Sequence, residues 1–160
     1  MSSERVPLVT FRVGDTTYAA DVLSVERVIP FTPPRAIPNV PVWLDGVIDH
    51  AGRAVPVIDL RARFELPPAA PDVLRRIVIF SNGTDSVAAI VDAVEEVSTV
   101  AAADLTEPPA IFRGLAKQYL RALVRRNSDV IVVLDAAQLL SARERIVVDQ
   151  AMAESPTHGR

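Results

Sequence analysis

Residues 46–64 read GVIDHAGRAVPVIDLRARF. Two apolar segments, Val47-Ile48 and Ala54 to Ile58, flank a polar tip at His50-Ala51-Gly52-Arg53. The pattern is that of a β-hairpin, with Gly52 free to take the positive φ of a tight turn. Asp59 then ends the second strand and can cap a short helix, its carboxylate accepting a backbone N–H two or three residues on. Leu60 and Phe64, four apart, turn that helix's apolar side back onto the sheet.

Beyond the hairpin, the chain repeats itself. Val9, Phe11, Gly14, Ala19, Ala20, Val22, Val25, Glu26 and Val28 recur at one constant offset as Val78, Phe80, Gly83, Ala88, Ala89, Val91, Val94, Glu95 and Val97. The hairpin recurs as well, at a slightly longer constant offset: Val57, Ile58 and Asp59 map onto Val133, Leu134 and Asp135. Two ordered blocks that both place an Asp at a strand end indicate a duplicated unit. Each copy supplies about five short strands, too few for a sandwich and enough for a small closed barrel. Pro56 stands mid-strand where the second copy has Val132, which predicts an edge or a bulge there, and hence an open flank on the first barrel.

The remaining strands follow from alternation and turn residues. Leu8 to Val13 turns at Gly14-Asp15 into Thr17 to Ala20, and Val25, Val28 and Ile29 begin another strand. The proline-rich run 30–41 is a loop, since proline removes ladder donors and biases its predecessor away from helix. Residues 65–71, ELPPAAP, read as an internal linker. Ile77 to Phe80 pairs with Val87 to Val91, Val94, Val97 and Val100 continue, and Leu120 to Val124 pairs with Val130 to Leu134. Asp135 and Gln138 form a capping pair for a terminal helix over 135–153, and 154–160 read as a disordered tail.

The fold class expected is therefore mainly β: two small five-stranded barrels packed on a shared apolar seam with a C-terminal helix. The domain is expected to span 6–153, with barrel 1 mainly from 8–64, barrel 2 mainly from 72–134, and exchange of strands between them allowed.

Composition narrows the function classes. A chain of 160 residues buries about 70% of its unfolded surface and folds without a metal or disulfide. It has no cysteine, hence no thiol nucleophile, and a net charge of −3 with pI near 5.4. That balance argues against nucleic acid as a partner. The polar start lacks the apolar run of a signal peptide, and the Asp or Arg in every apolar stretch keeps each below membrane-spanning length, so a cytoplasmic protein without direct membrane insertion is expected.

At the hairpin the sequence resembles the CheW family, the coupling proteins of bacterial chemotaxis. The family stretch G-V-x-N-L-R-G-x-x-V-P-V-(I/V)-D-L-R-x-(K/R)-F stands here as residues 46–64. VTFRVGDTTYAADVLSVERVIP at 9–30, Pro-Asn-x-Pro at 38–41, IVDAVEEV at 90–97 and VIVVLDAAQLL at 130–140 match in the family's order. The resemblance implies two SH3-like barrels, no catalysis and no cofactor. It implies two partners: the regulatory domain of a CheA-like histidine kinase and the cytoplasmic tip of a methyl-accepting chemoreceptor. Carried over residue by residue, the kinase contacts fall on Val25, Arg27 and Gly46, and the receptor or array contacts on Asp49, His50 and Ala51. Two positions depart from the family. Arg27 stands where the family has Glu, and Ala51 stands where the tip has Arg, changes that can redirect a partner. An adaptor of a non-chemotaxis or accessory kinase array is the alternative.

A hydrolase or ligand-binding barrel pair is a further alternative, and it requires a deep cavity with converging polar groups. The candidates for such chemistry are few. His50 is the one histidine in the folded part, without the convergent ligands a metal needs. Asp15 and Asp85 lie in equivalent turns but lack the glycine of an aspartic-protease pair, and Asp59 and Asp135 read better as caps. No glycine array for a phosphate occurs. The arginines at 61, 63, 75, 76, 121, 125 and 126 form either a basic face or, as favoured here, a salt-bridged surface.

Overall fold

The computed structural model describes residues 4–68, 74–81, 85–107, 119–126 and 129–138. Among the described residues ten strands follow one another: β1 (Arg5–Val13), β2 (Thr16–Asp21), β3 (Val25–Pro30), β4 (Leu44–His50), β5 (Arg53–Asp59), β6 (Arg76–Ser81), β7 (Ser86–Val91), β8 (Ala93–Ala101), β9 (Leu120–Arg126) and β10 (Asp129–Leu134). One turn of helix, α1 (Leu60–Arg63), follows β5. Beyond Gln138 the expected terminal helix and tail lie outside the described residues.

The strands form two five-stranded sheets, ordered β8-β1-β2-β10-β9 and β3-β6-β7-β5-β4. With β1 to β5 as the first copy and β6 to β10 as the second, the two orders are identical except that the copies have exchanged their leading hairpins. The register bears this out pair by pair. Val9 lies opposite Val97, and its counterpart Val78 lies opposite Val28. Val133 pairs with Ala19, and Val57 with Ala88, both in parallel.

Each sheet closes on itself through one bridge. After β3 the chain returns so that Arg35 and Val47 exchange both N–H···O bonds, at 2.8 and 2.9 Å. After β8, Thr106 and Leu123 do the same at 2.9 and 2.8 Å. The fold is therefore two SH3-like barrels, each completed by strands of the other sequence half.

The alternation along the strands explains how the barrels pack. Ala19, Ile131 and Val133 face the interior of one barrel; Ala88, Val55 and Val57 face that of the other. The residues between them, Ala20, Val132 and Leu134 with Ala89 and Ile58, meet in a common cluster around Phe11, Phe80 and Leu60. Both faces of these strands are thus apolar, and the expected shared seam is a continuous core. Burying a side chain the size of Phe80 contributes about 2–3 kcal/mol.

Two expectations need correction. Pro56 is at neither an edge nor a bulge: β5 lies between β4 and β7, and Pro56 is buried opposite Val47. The ring is tolerated because the parallel ladder to β7 starts one residue later, at Val57, so no donor is needed at 56. The second barrel, with Val132, begins the same ladder two residues earlier, at Ile131. Arg63 is also not part of any basic face, being only 3% exposed. Its guanidinium stacks over Trp43 and Tyr119, at 4.5 and 5.0 Å from the ring centroids, and an Nη2 hydrogen donates to the Tyr119 hydroxyl. Trp43 and Tyr119 are themselves related by the hairpin offset, and each carbonyl accepts the N–H of its own strand-ending Asp at 2.9 Å. Arg63 therefore sits between equivalent aromatics of the two copies and joins them by cation–π contacts.

Candidate partner-docking site

The hairpin β4–β5 closes as a two-residue turn: His50 pairs with Arg53, while Ala51 and Gly52 take φ of 53° and 76°. This mirror-image turn matches strand twist, but its first position strains an alanine. Asp59 caps α1 as expected, accepting the Arg61 N–H at 3.0 Å.

Beside the tip runs β3, an end strand of its sheet. Register slips between Val25 and Arg27, so Glu26 is the extra residue of a bulge against β6. Its repeat counterpart Glu95 is skipped in the same way opposite Thr10 and Phe11. The bulge re-aims the Glu26 carboxylate at the hairpin tip. Its Oε2 lies 3.1 Å from His50 Nε2, and both of its oxygens accept from Arg53 Nη2, at 3.1 and 3.3 Å. Arg53 Nη1 donates in turn to Ser86 Oγ at 2.9 Å. Burial works against the Glu26 charge, but the hydrogen bonds and charges of His50 and Arg53 outweigh it and hold the carboxyl below its usual range.

The residues singled out in the sequence fall into three groups. Arg27 is exposed on β3, next to Val28, which is 38% exposed. Asp49, His50 and Ala51 form the tip, with Asp49 in a loose 3.9 Å contact with Arg35. Val25 and Gly46 are different. Val25 is half-buried and packs on the common core. Gly46 is buried with φ 150°, and a Cβ there would come 2.2 Å from the Arg35 carbonyl oxygen. Gly46 thus has a backbone duty of its own, admitting the strand-closing bridge.

Sequence reasoning did not single out Arg53, nor give Glu26 a role beyond the repeat. The available signal was Glu26 itself, shared with Glu95 in the duplication. Without the bulge, however, alternation aims that side chain away from the tip.

A second charged cluster lies near α1. Arg61 forks onto Asp92, Nε to Oδ1 at 3.0 Å and Nη2 to Oδ2 at 2.7 Å, and its Nη1 donates to the Pro67 carbonyl at 2.8 Å. The Gly14 N–H donates to Asp92 Oδ2 at 2.8 Å, so the clasp ties the β1–β2 turn of one barrel to the helix and linker of the other. Burial opposes ionisation of Asp92, but the bonds from Arg61 and Gly14 and the charges of Arg61 and Arg12 hold its carboxyl low. The adjoining cavity, lined by Asp59, Arg61, Pro68, Arg75, Ile90 and Asp92, measures about 140 Å³. A ligand pocket ordinarily runs to about 300–1,000 Å³, and here Arg61 and Asp92 already satisfy each other. Asp15 and Asp85 belong to turns of different sheets. Among the described residues no three His, Asp or Glu side chains converge to hold a metal, and no helix is long and apolar enough to cross a membrane.

Fold and site define a class: paired, exchanged five-stranded barrels with an exposed end strand clasped to a hairpin tip. The family model for the CheW-like domain matches residues 7–144, and the chain belongs to that family. It is 31% identical to the probable chemotaxis protein CheW of Rhizobium etli, over 86% of this chain and 88% of that one. It is 28% identical to the chemotaxis protein CheW of Treponema pallidum, over 90% and 87%. Its fold matches the crystal structure of the scaffolding protein TtCheW from Thermoanaerobacter tengcongensis with a TM-score of 0.76, at 24% identity, covering 82% of this chain and 90% of that one.

Proposed function

We propose that this protein is a non-catalytic cytoplasmic adaptor of bacterial chemotaxis that joins chemoreceptor tips to the regulatory domain of a CheA-like histidine kinase. The observation that carries the reading is the exposed β3 edge, Arg27 and Val28, held beside the hairpin tip by Glu26. An end strand offers unpaired backbone groups and a partly apolar side chain to a partner. Membership of the CheW-like family, with relatives named chemotaxis protein CheW, supports a role in chemotaxis, and the two partners are those that the resemblance of the sequence implies.

The test is capture of a purified CheA-like regulatory domain by the double variant Arg27→Glu, Val28→Glu. Both side chains face solvent, so the fold should persist by circular dichroism while affinity falls at least about tenfold, as for a rim charge reversal added to a lost apolar contact. Unchanged capture would overturn the surface. Val25→Asp is a poorer probe, because it places a carboxylate against the common core. One observation favours altered partners, namely Ala51 where the family's tip has Arg. If the departures redirect binding, Arg27→Glu with Ala51→Arg raises capture of conventional chemotaxis partners; a loss or no change shows that they do not.

A further inference from the structure

The duplication places a control beside the Glu26 clasp. The hairpin offset equates His50 with Arg126 and Arg53 with Asp129, and both pairs close their hairpins at the same register. In the second barrel Arg126 Nη1 donates to Glu96 Oε2 at 2.7 Å and Ser98 Oγ at 2.6 Å, fastening β9 to β8. In the first barrel the fastening runs from His50 to Glu26 at 3.1 Å. The counterpart of Glu96 there is Arg27, which cannot accept, so the bulge residue before it supplies the carboxylate. One barrel closes with a guanidinium that stays charged at every working pH. The other closes on Glu26 with a guanidinium, Arg53, and beside it an imidazole, a group that ordinarily titrates between about pH 5 and 8.

We infer that the His50–Glu26 contact is a proton-controlled latch that positions the hairpin tip against β3 and thereby sets the affinity of the docking surface. The role in affinity rests on the function proposed above; the latch itself does not. The charged groups around His50 come from each neighbouring element. Glu26 faces it from β3 and Arg53 from β5, the latter held by Ser86 of β7, while Asp49 precedes it on β4 in loose contact with Arg35. Arg27 stands exposed on β3. The Glu26 carboxyl, held low, stays ionised across the range in which an imidazole titrates, and the arginines stay charged. An imidazole is the kind of group in this set that ordinarily changes charge within that range. When neutral it makes an ordinary hydrogen bond to the carboxylate; when protonated it adds a charge-assisted one. Arg53, itself on the tip, holds Glu26 in both states, so protonation of His50 tightens a standing contact rather than making or breaking it.

The experiment is hydrogen exchange by NMR on the full chain, read as amide protection factors at His50, Arg53 and Val55, which lie in the hydrogen-bonded pairs of the hairpin, at pH 5.5 and 8.0. Wild type should be protected about two- to five-fold more at pH 5.5, the scale of one partly exposed ion pair. His50→Arg, which copies the second barrel, should be high at both pH values. His50→Gln and Glu26→Gln should be low at both, with unchanged circular dichroism. Equal wild-type protection at the two pH values, or a pH response retained in His50→Gln, overturns the latch. The affinity of the same four proteins for a CheA-like regulatory domain separates the two layers. Affinity that tracks protection supports both; protection that moves while affinity stays constant overturns the docking role and leaves the failure with the proposed surface.

Discussion

At equivalent places the two barrels hold Gly46 and Ala122, Trp43 and Tyr119, Pro56 and Val132, His50 and Arg126. Where a side chain faces a barrel interior or the common seam, the copies stay close: Val57 and Val133, Ile58 and Leu134, Phe11 and Phe80 are all buried. Where it faces solvent at the strand-to-hairpin closure, they diverge in charge and even in which strand position supplies the acid. Interior packing at crystal-like density tolerates little change in volume, whereas a surface pair is worth at most about 1 kcal/mol and is free to vary. The duplication thus preserves a framework and varies its rim.

The two copies should differ most at their closing bridges. Gly46→Ala forces a Cβ against the Arg35 carbonyl at a backbone conformation that L residues rarely adopt. It should cost at least about 3 kcal/mol in urea denaturation. The converse change in the other barrel, Ala122→Gly, should cost only about 1 kcal/mol, through chain entropy and one lost methyl contact. Equal costs would mean that the two closures are not differently tight.

Next in size is the clasp between barrels. Asp92→Ala removes a bidentate arginine partner and the acceptor of the Gly14 N–H, and should cost about 2 kcal/mol at pH 7. The counterpart position in the first copy is Leu23, 87% exposed and without such a role, so Leu23→Ala should be nearly neutral. The pH dependence has a definite sign. The folded carboxyl of Asp92 titrates below its unfolded value of about 3.9, so its contribution is complete above that pH and is lost as pH falls through the lower folded value. Acid titration of stability should therefore be shallower in Asp92→Ala than in wild type; parallel curves would remove the clasp from the account.

The smallest expected change is at the hairpin tip. Ala51 is strained by its positive φ, and Ala51→Gly should raise stability by about 0.5–1 kcal/mol, as a higher urea midpoint with unchanged slope. Loss of stability would mean that the alanine methyl makes a contact that offsets the strain.

Much of this was legible from residues alone. Alternation and turn glycines locate the ten described strands and the Asp59 cap, because each depends on neighbours within a few positions, and the two offsets reveal the duplication. The family resemblance rests on the same local signals, and so does the nomination of the hairpin tip. The misreadings share a different origin. Pro56 looked like an edge residue because a single sequence does not reveal at which residue a parallel ladder begins. Arg63 looked like surface because its partners, Trp43 and Tyr119, are distant along the chain.

Residue order alone therefore settles the strands, their apolar faces and the fact of duplication. Which hairpin completes which barrel is settled only in three dimensions. A strand of either copy presents the same register and the same buried face, so local patterning is equally satisfied by both pairings. The chemistry of the rim is likewise a property of the folded chain. Glu26 reaches His50 and Arg53 only because one extra residue on β3 turns its side chain toward them, and a bulge exists only once β3 has β6 to be measured against.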